Sequence, residues 1–320
     1  MAGLHGESLH PAGRLPSFRG RKNFRVQERI VAEITPAASA PATASLRIGT
    51  VALTVRDLHA LSRYYQDVIG LRLLADEDGE TGRRQLLGCG DRVLLELRHD
   101  PSAEPPDRSE AGLFHTAFLL PSRTALADWM VHALAMGVAL DGASDHLVSE
   151  ALYLTDPEGN GIEIYRDRER GEWLLAADGS VSMATLPLDL RALAAEAGRA
   201  RFAGLPADSS IGHVHLRVGD LDQAEAFYAG TLGLAVMTRY PGALFFGADG
   251  YHHHLGANIW NSRGAGPRRE GTTGLAEIAL TVDAPEFRAL AGRLDLGPEA
   301  AGGAIILRDP WGTRLSLHET

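Results

Sequence analysis

Only one of the 320 residues is a cysteine, Cys89, which excludes an intrachain disulfide and a thiolate zinc cluster. Such scarcity fits a reducing cytoplasm, where the chain is expected to reside. No apolar run approaches ~18 residues, so no membrane span is expected. Positive charge is also in deficit: a net charge of −10 argues against a nucleic-acid-binding surface and favours solubility. The first 30 residues are polar and include Arg14, Arg19, Arg21, Lys22, Arg25 and Arg29, but they lack the apolar region of a secretory signal. Residues 1–45 are expected to be a disordered extension that ends in a Pro/Ala/Ser linker over 35–45.

The remainder is long enough for two domains, and it is repetitive. Ile48 to Leu74 matches Ile211 to Met237 at about 10 of 27 positions without gaps. Each copy reads as a strand, an amphipathic helix opened near Asp57 or Asp220, and a Gly-terminated helix end. Short strands follow, RRQLLGCG with RVLLELR in one copy and ALFFGADG with HHHLGANIW in the other. Two further segments repeat the plan more loosely. One runs from FHTAFLLPS through a helix near Ala125–Met136 to DPEGNGIEIY, the other from LAEIALTVD through a helix near Glu286–Leu294 to DPWGTRLSLH. The chain therefore reads as α+β, with four βαβββ modules at roughly 46–99, 112–166, 211–260 and 274–318. Two domains are expected, 46–166 and 209–320, joined by a weakly patterned linker with a helical segment over 167–208.

Chemistry concentrates in the middle modules. Asp145 to Tyr165 reads as a β-hairpin with Tyr153 on the outgoing strand and Glu163 on the return strand between Ile162 and Ile164. Side chains alternate across a strand, so Tyr153 and Glu163 face away from the packed Leu and Ile layer. A carboxylate centred in an apolar strand is costly to bury unless it is paired or binds a metal. Glu163 could instead be exposed, or salt-bridged to Arg166. The same alternation sets His213 and His215 opposite Val214, Leu216 and Val218. It also sets His115 and Ala117 opposite Phe114, Thr116 and Phe118. In the run His252-His253-His254, Leu255 and Ile259 fix the apolar face. His253 goes with them, and His252, His254, Asn258 and Trp260 take the other side.

Four such modules with DPxGxxIE-type strands resemble the vicinal oxygen chelate superfamily of glyoxalases, extradiol dioxygenases and bleomycin-resistance proteins. The resemblance covers about 46–318. The strings GLFHTAFLLPSR, SDHLVSEALYLTDPEGNGIEIYRDR and GYHHHLGANIW look most like the bacillus-type catechol 2,3-dioxygenase branch. This implies two cup-shaped mixed sheets with helices outside. A divalent metal would be held in one cup by residues on the first and last strands of modules. The first-strand positions are Thr50, His115, His213 and Glu277, and the last-strand positions include Glu96, Glu163 and Ser316. Only the second and third modules carry histidines there. Their pairing would give His115, His213 and Glu163, a donor set suited to Fe(II), with Mn(II) or another divalent ion an alternative. The first and fourth modules would then form a metal-free cup. In extradiol enzymes a tyrosine precedes the ligand glutamate by ten positions with a histidine upstream. Tyr153, Glu163 and His146 reproduce that order, with the histidine closer than usual.

The resemblance implies ring cleavage of a small catechol-type diol with O2. Tyr153 would hydrogen-bond the substrate oxygen, and His254 or His252 would act as acid and base. His215 would either support the site or line the substrate, with Asn258 and Trp260 as substrate wall. His254 as a fourth ligand would favour a glyoxalase-like isomerase. A metal-free binding protein is a third reading. Oligomeric state is left open, with pairing of copies through exposed sheet edges one way to meet it.

Overall fold

The structure is a computed structural model that describes residues 45–79, 82–176, 180–296 and 303–320, together with the backbone of Thr35–Pro36. The expected extension and linker therefore lie outside the described residues. The exceptions are Ser45 and Thr35–Pro36, the latter pairing antiparallel with Leu174–Leu175.

The first module comprises β1 (Leu46–Val55), α1 (Leu58–Tyr64), β2 (Arg72–Gly79), β3 (Gly82–Cys89) and β4 (Arg92–His99). The second comprises β5 (Gly112–Leu120), α2 (Arg123–Ala135), β6 (Gly142–Asp145), β7 (Ser149–Thr155) and β8 (Gly161–Asp167). After a short α3 (Leu190–Ala195) comes the third, with β9 (Ser210–Arg217), α4 (Leu221–Glu225), β10 (Ala235–Tyr240), β11 (Ala243–Gly247) and β12 (Leu255–Asn258). Among the described residues the fourth has β13 (Gly274–Val282), α5 (Ala284–Arg293), β14 (Ile305–Arg308) and β15 (Arg314–Glu319). Each module's main helix opens on a side-chain oxygen, from Asp57, Ser122, Asp220 or Asp283, that accepts an otherwise unpaired backbone N–H. Helices α1 and α4 run on into wider turns that carry Tyr65 and Tyr228 at matching places.

The sheets do not coincide with the expected domains 46–166 and 209–320. Each takes one module from either side. β5 pairs antiparallel with β9, setting Ala117 opposite His213 and His115 opposite His215. β1 pairs antiparallel with β13, setting Ala52 opposite Glu277. The result is a seven-stranded sheet from the first and fourth modules and a nine-stranded sheet from the second and third. The ninth strand is the pair Leu186–Pro187, which adds to the edge at β6, so the weakly patterned segment is part of the fold rather than a spacer.

One continuous apolar core joins the sheets and helices, including Leu53, Tyr65, Phe118, Trp129, Val214, Tyr228, Phe246 and Ile278. Two matching polar clips tie consecutive modules through that core. The Tyr65 hydroxyl donates to Asp156 at 3.0 Å and the Tyr228 hydroxyl to Asp309 at 2.6 Å. Each aspartate sits in a Asp-Pro-x-Gly turn and also accepts backbone N–H groups of that turn. Burial pushes both carboxyl pKa values up, against these donors.

Candidate metal centre

The turn that the Asp156 clip holds sets the hairpin β7–β8, and with it the position of Glu163. β8 lies parallel to β5 with Glu163 beside Ala117, and antiparallel to β7 with Glu163 beside Tyr153. Gly161 permits this closeness, since a Cβ there would lie 2.0 Å from the Phe114 carbonyl oxygen. Ala117 thus has Glu163 on one neighbouring strand and His213 on the other.

The three side chains converge. Nε2 of His115 and Nε2 of His213 are 3.4 Å apart, and Oε2 of Glu163 lies 3.0 Å from the first and 3.2 Å from the second. All three residues are buried. Burial works to raise the Glu163 pKa, yet His213 and the hydrogen bond from His115 overcome it and hold the carboxyl well below its usual value. Burial pulls His213 down to about 4 although Glu163 opposes the shift. An ionised carboxylate and a neutral imidazole lone pair are the forms that ligate a cation. His213 Nδ1, the ring nitrogen that does not face the other two donors, is buried without a hydrogen-bond partner. The His213 ring is held by packing instead, 4.9 Å from the Tyr165 ring and 4.0 Å from the His253 ring. Two imidazole nitrogens and one carboxylate oxygen within 4.8 Å of one another fit a divalent metal.

Tyr153 lies beside the group, its ring 5.7 Å from that of His115. His146 Nδ1 reaches the Ala184 carbonyl at 2.7 Å, so it carries the proton, and Nε2 accepts the Tyr153 hydroxyl at 2.7 Å. That carbonyl belongs to the segment between the modules. Burial, then the charge of Glu163, holds the Tyr153 hydroxyl well above its ordinary pKa. His215 is 5.0 Å from His115 ring to ring, and its Nε2 accepts from the Asn258 amide at 3.1 Å. Trp260 stands at the mouth, 43% exposed, with its ring 5.6 Å from His215.

Two alternation arguments fail at this site for local reasons. Phe114 was expected opposite His115, but its ring lies 5.3 Å from His115, 5.0 Å from His215 and 5.5 Å from Trp260. It is an extra residue between the pairs His115–His215 and Leu113–Leu216, a β-bulge that turns it towards the cup. The histidine run is likewise not a strand, because β12 begins only at Leu255. His253 therefore packs on His213 instead of joining the apolar face. His252 donates from Nε2 to Asp167 at 2.8 Å and accepts at Nδ1 from His253 at 2.8 Å. His254 accepts the Ala248 backbone N–H and packs on Tyr251, without joining the three donors. Tyr165 also lines the site. Its spacing of two from Glu163 was the available signal. Its hydroxyl donates to Tyr251, which donates to Asp167, and a Cβ at Gly212 would lie 1.7 Å from that oxygen.

Residues 47–164 and 210–317 match the family described as Glyoxalase/Bleomycin resistance protein/Dioxygenase superfamily. Catechol-2,3-dioxygenase of Bacillus subtilis is 45% identical over 231 residues, which cover 71% of this chain and 80% of that protein. Biphenyl-2,3-diol 1,2-dioxygenase 3 of Rhodococcus globerulus is 28% identical over 135 residues, 39% of this chain and 65% of that one. Glyoxalase I from Zea mays superposes with a TM-score of 0.51 at 18% identity, over 85% of this chain and 92% of that one, a likeness of fold alone. No helix among the described residues is long and apolar enough to cross a membrane.

Proposed function

Because the chain belongs to the glyoxalase/bleomycin resistance protein/dioxygenase superfamily, we propose that it is an extradiol ring-cleaving dioxygenase acting on a catechol-type diol with O2. The observation that carries this reading is the convergence of His115, His213 and Glu163 beside a tyrosine whose hydroxyl is oriented by His146. These three residues would hold a divalent metal, Fe(II) or Mn(II) by the chemistry of the donors. Such an ion would supply the Lewis acidity that lowers a diol's hydroxyl pKa and the capacity to engage O2.

The chain's own groups do the rest. Tyr153 stays a neutral phenol whose single O–H points to His146 Nε2; turned towards the cup, it would donate that proton to an oxygen of the diol instead. Burial first, then the neighbouring histidines, holds the His215 pKa well below its usual value, so its ring is neutral. The Asn258 amide occupies Nε2, which leaves the His215 proton on Nδ1 as a second donor. Phe114 and Trp260, in edge-to-face contact, would offer an aromatic wall to a flat ring. The same superfamily includes isomerases with four protein ligands, but no fourth side chain joins the group among the described residues.

The test is reconstitution with Fe(II) under argon, addition of catechol, then admission of air. The reading predicts a yellow ring-cleavage product with consumption of O2. Protein that holds stoichiometric iron and leaves catechol and substituted catechols intact would refute it.

A further inference from the structure

Along β9 the side chains of His213, His215 and Arg217 share one face, since Val214, Leu216 and Val218 are buried in the core. At a rise of about 3.3 Å per residue, Arg217 lies about 13 Å along the strand from His213. It stands opposite Gly112 on β5 and beside Asn258 on β12, whose amide holds His215. The guanidinium lies over Gly112, where a Cβ would be in ordinary contact with Arg217 Nη2 at 3.9 Å.

Arg217 Nε is fully buried and has no hydrogen-bond partner. The adjacent Arg268 differs, donating to the Thr272 hydroxyl and to the carbonyls of Thr272, Thr273 and Leu275. Nearby carboxylates are already engaged, Glu110 by Arg269 and Asp107 by Ser109. Burial, then Arg108, works against the charge on Arg217, and Glu110 and Asp107 offset part of this through space without bonding to it, so the guanidinium keeps its charge at neutral pH. A half-desolvated guanidinium whose buried Nε–H makes no hydrogen bond costs stability, and its retention at the end of the cup points to an acceptor that is an anion.

We propose that Arg217 is the anion-binding end of the substrate cup, and that the aromatic diol cleaved there carries a carboxylate on the side of the ring away from its hydroxyls. The inference deepens the ring-cleaving reading and rests on it. A carboxylate accepts two parallel N–H bonds from a guanidinium, which sets the ring's direction in the cup as well as its affinity. A neutral diol leaves the guanidinium unpaired, a difference of about ten-fold or more in affinity.

The probes are dihydrocaffeate, a catechol with a carboxylate on a short chain, and its uncharged methyl ester. Both are titrated calorimetrically into Fe(II)-loaded full-length protein under argon, and both are then assayed for cleavage in air. The expected result is at least about ten-fold tighter binding of the acid. Arg217→Gln should abolish that preference while leaving the ester's affinity within about two-fold. Arg217→Lys should retain part of the preference. Equal binding of acid and ester by the native protein overturns the proposal whether or not any variant folds. An equal loss for both probes in Arg217→Gln overturns it too. Selective binding of the acid, with neither probe nor catechol itself cleaved, leaves the subsite standing and removes the ring-cleaving reading. Cleavage of both probes without preference does the reverse.

Discussion

Where the sheet of the second and third modules sets Glu163 and His213 on either side of Ala117, the sheet of the first and fourth sets Glu96 and Glu277 on either side of Ala52. The same superposition puts Thr50 at the place of His115 and Arg98 at that of Tyr165. The backbones follow one plan, so what separates the two cups is side-chain chemistry. In the second cup two carboxylates would repel, and Arg98 bridges them at 2.9 Å and 3.0 Å, with Arg84 and Arg314 adding further contacts. Both Glu96 oxygens and Glu277 Oε2 are thereby turned to guanidinium groups. In the first cup no arginine approaches Glu163 among its hydrogen bonds, and the donors turn towards one another. The comparison teaches that the repeat supplies the positions, and that an arginine two residues from the carboxylate decides between an ion network and a ligand set.

The same substitution in both cups tests this most severely. Glu163→Gln should lower metal affinity by more than about 100-fold, above the usual cost of losing a supporting partner, and abolish activity. Glu96→Gln should leave metal content unchanged, as read by elemental analysis after dialysis. Loss of metal in both variants would break the comparison. The next effect is on rate. Tyr153→Phe should keep the metal and lower kcat by about 100-fold, the contribution of a positioned proton donor.

The smallest effect is on stability. Arg98→Ala should cost about 1–2 kcal/mol with metal content intact, less than a fully buried pair because the guanidinium is 39% exposed. Its pH dependence has a definite sign. Burial works to raise the Glu277 pKa, and Ser316 and Arg98 reverse that, so it is held below its ordinary 4.5. The contribution of this carboxylate is therefore full above that value and lost as pH falls below it. Denaturant titrations below about pH 4.5 should show a steeper loss in the native protein than in Arg98→Ala.

Several features of the site were legible in the chain. The ten-residue step from Tyr153 to Glu163 became a cross-strand pair, because a tight Asp-Pro-Glu-Gly-Asn-Gly turn fixes the register of a hairpin. Asp57, Asp220 and the Gly-terminated helix ends also took their expected places, with Gly70 and Gly233 at positive φ. Phe114 and His253 were misplaced because strand alternation holds only inside a regular strand. One sits in a bulge and the other in irregular backbone just before β12. The hold on His146 by Ala184 was invisible, since a backbone carbonyl has no side-chain signature and lies 38 residues away.

The amino-acid order by itself determined the four units, their caps and turns, and which of them carry imidazole and carboxylate on the face away from the core. These depend on neighbours a few residues apart. That the second and third units close on each other followed from where the histidines fall, read with the family resemblance, but what holds them together was decided only in three dimensions. β5 and β9 are separated by nearly a hundred residues, and what joins them is the burial of their apolar faces in a common core, which no local pattern encodes. That closure brings one imidazole from each strand to a shared carboxylate oxygen.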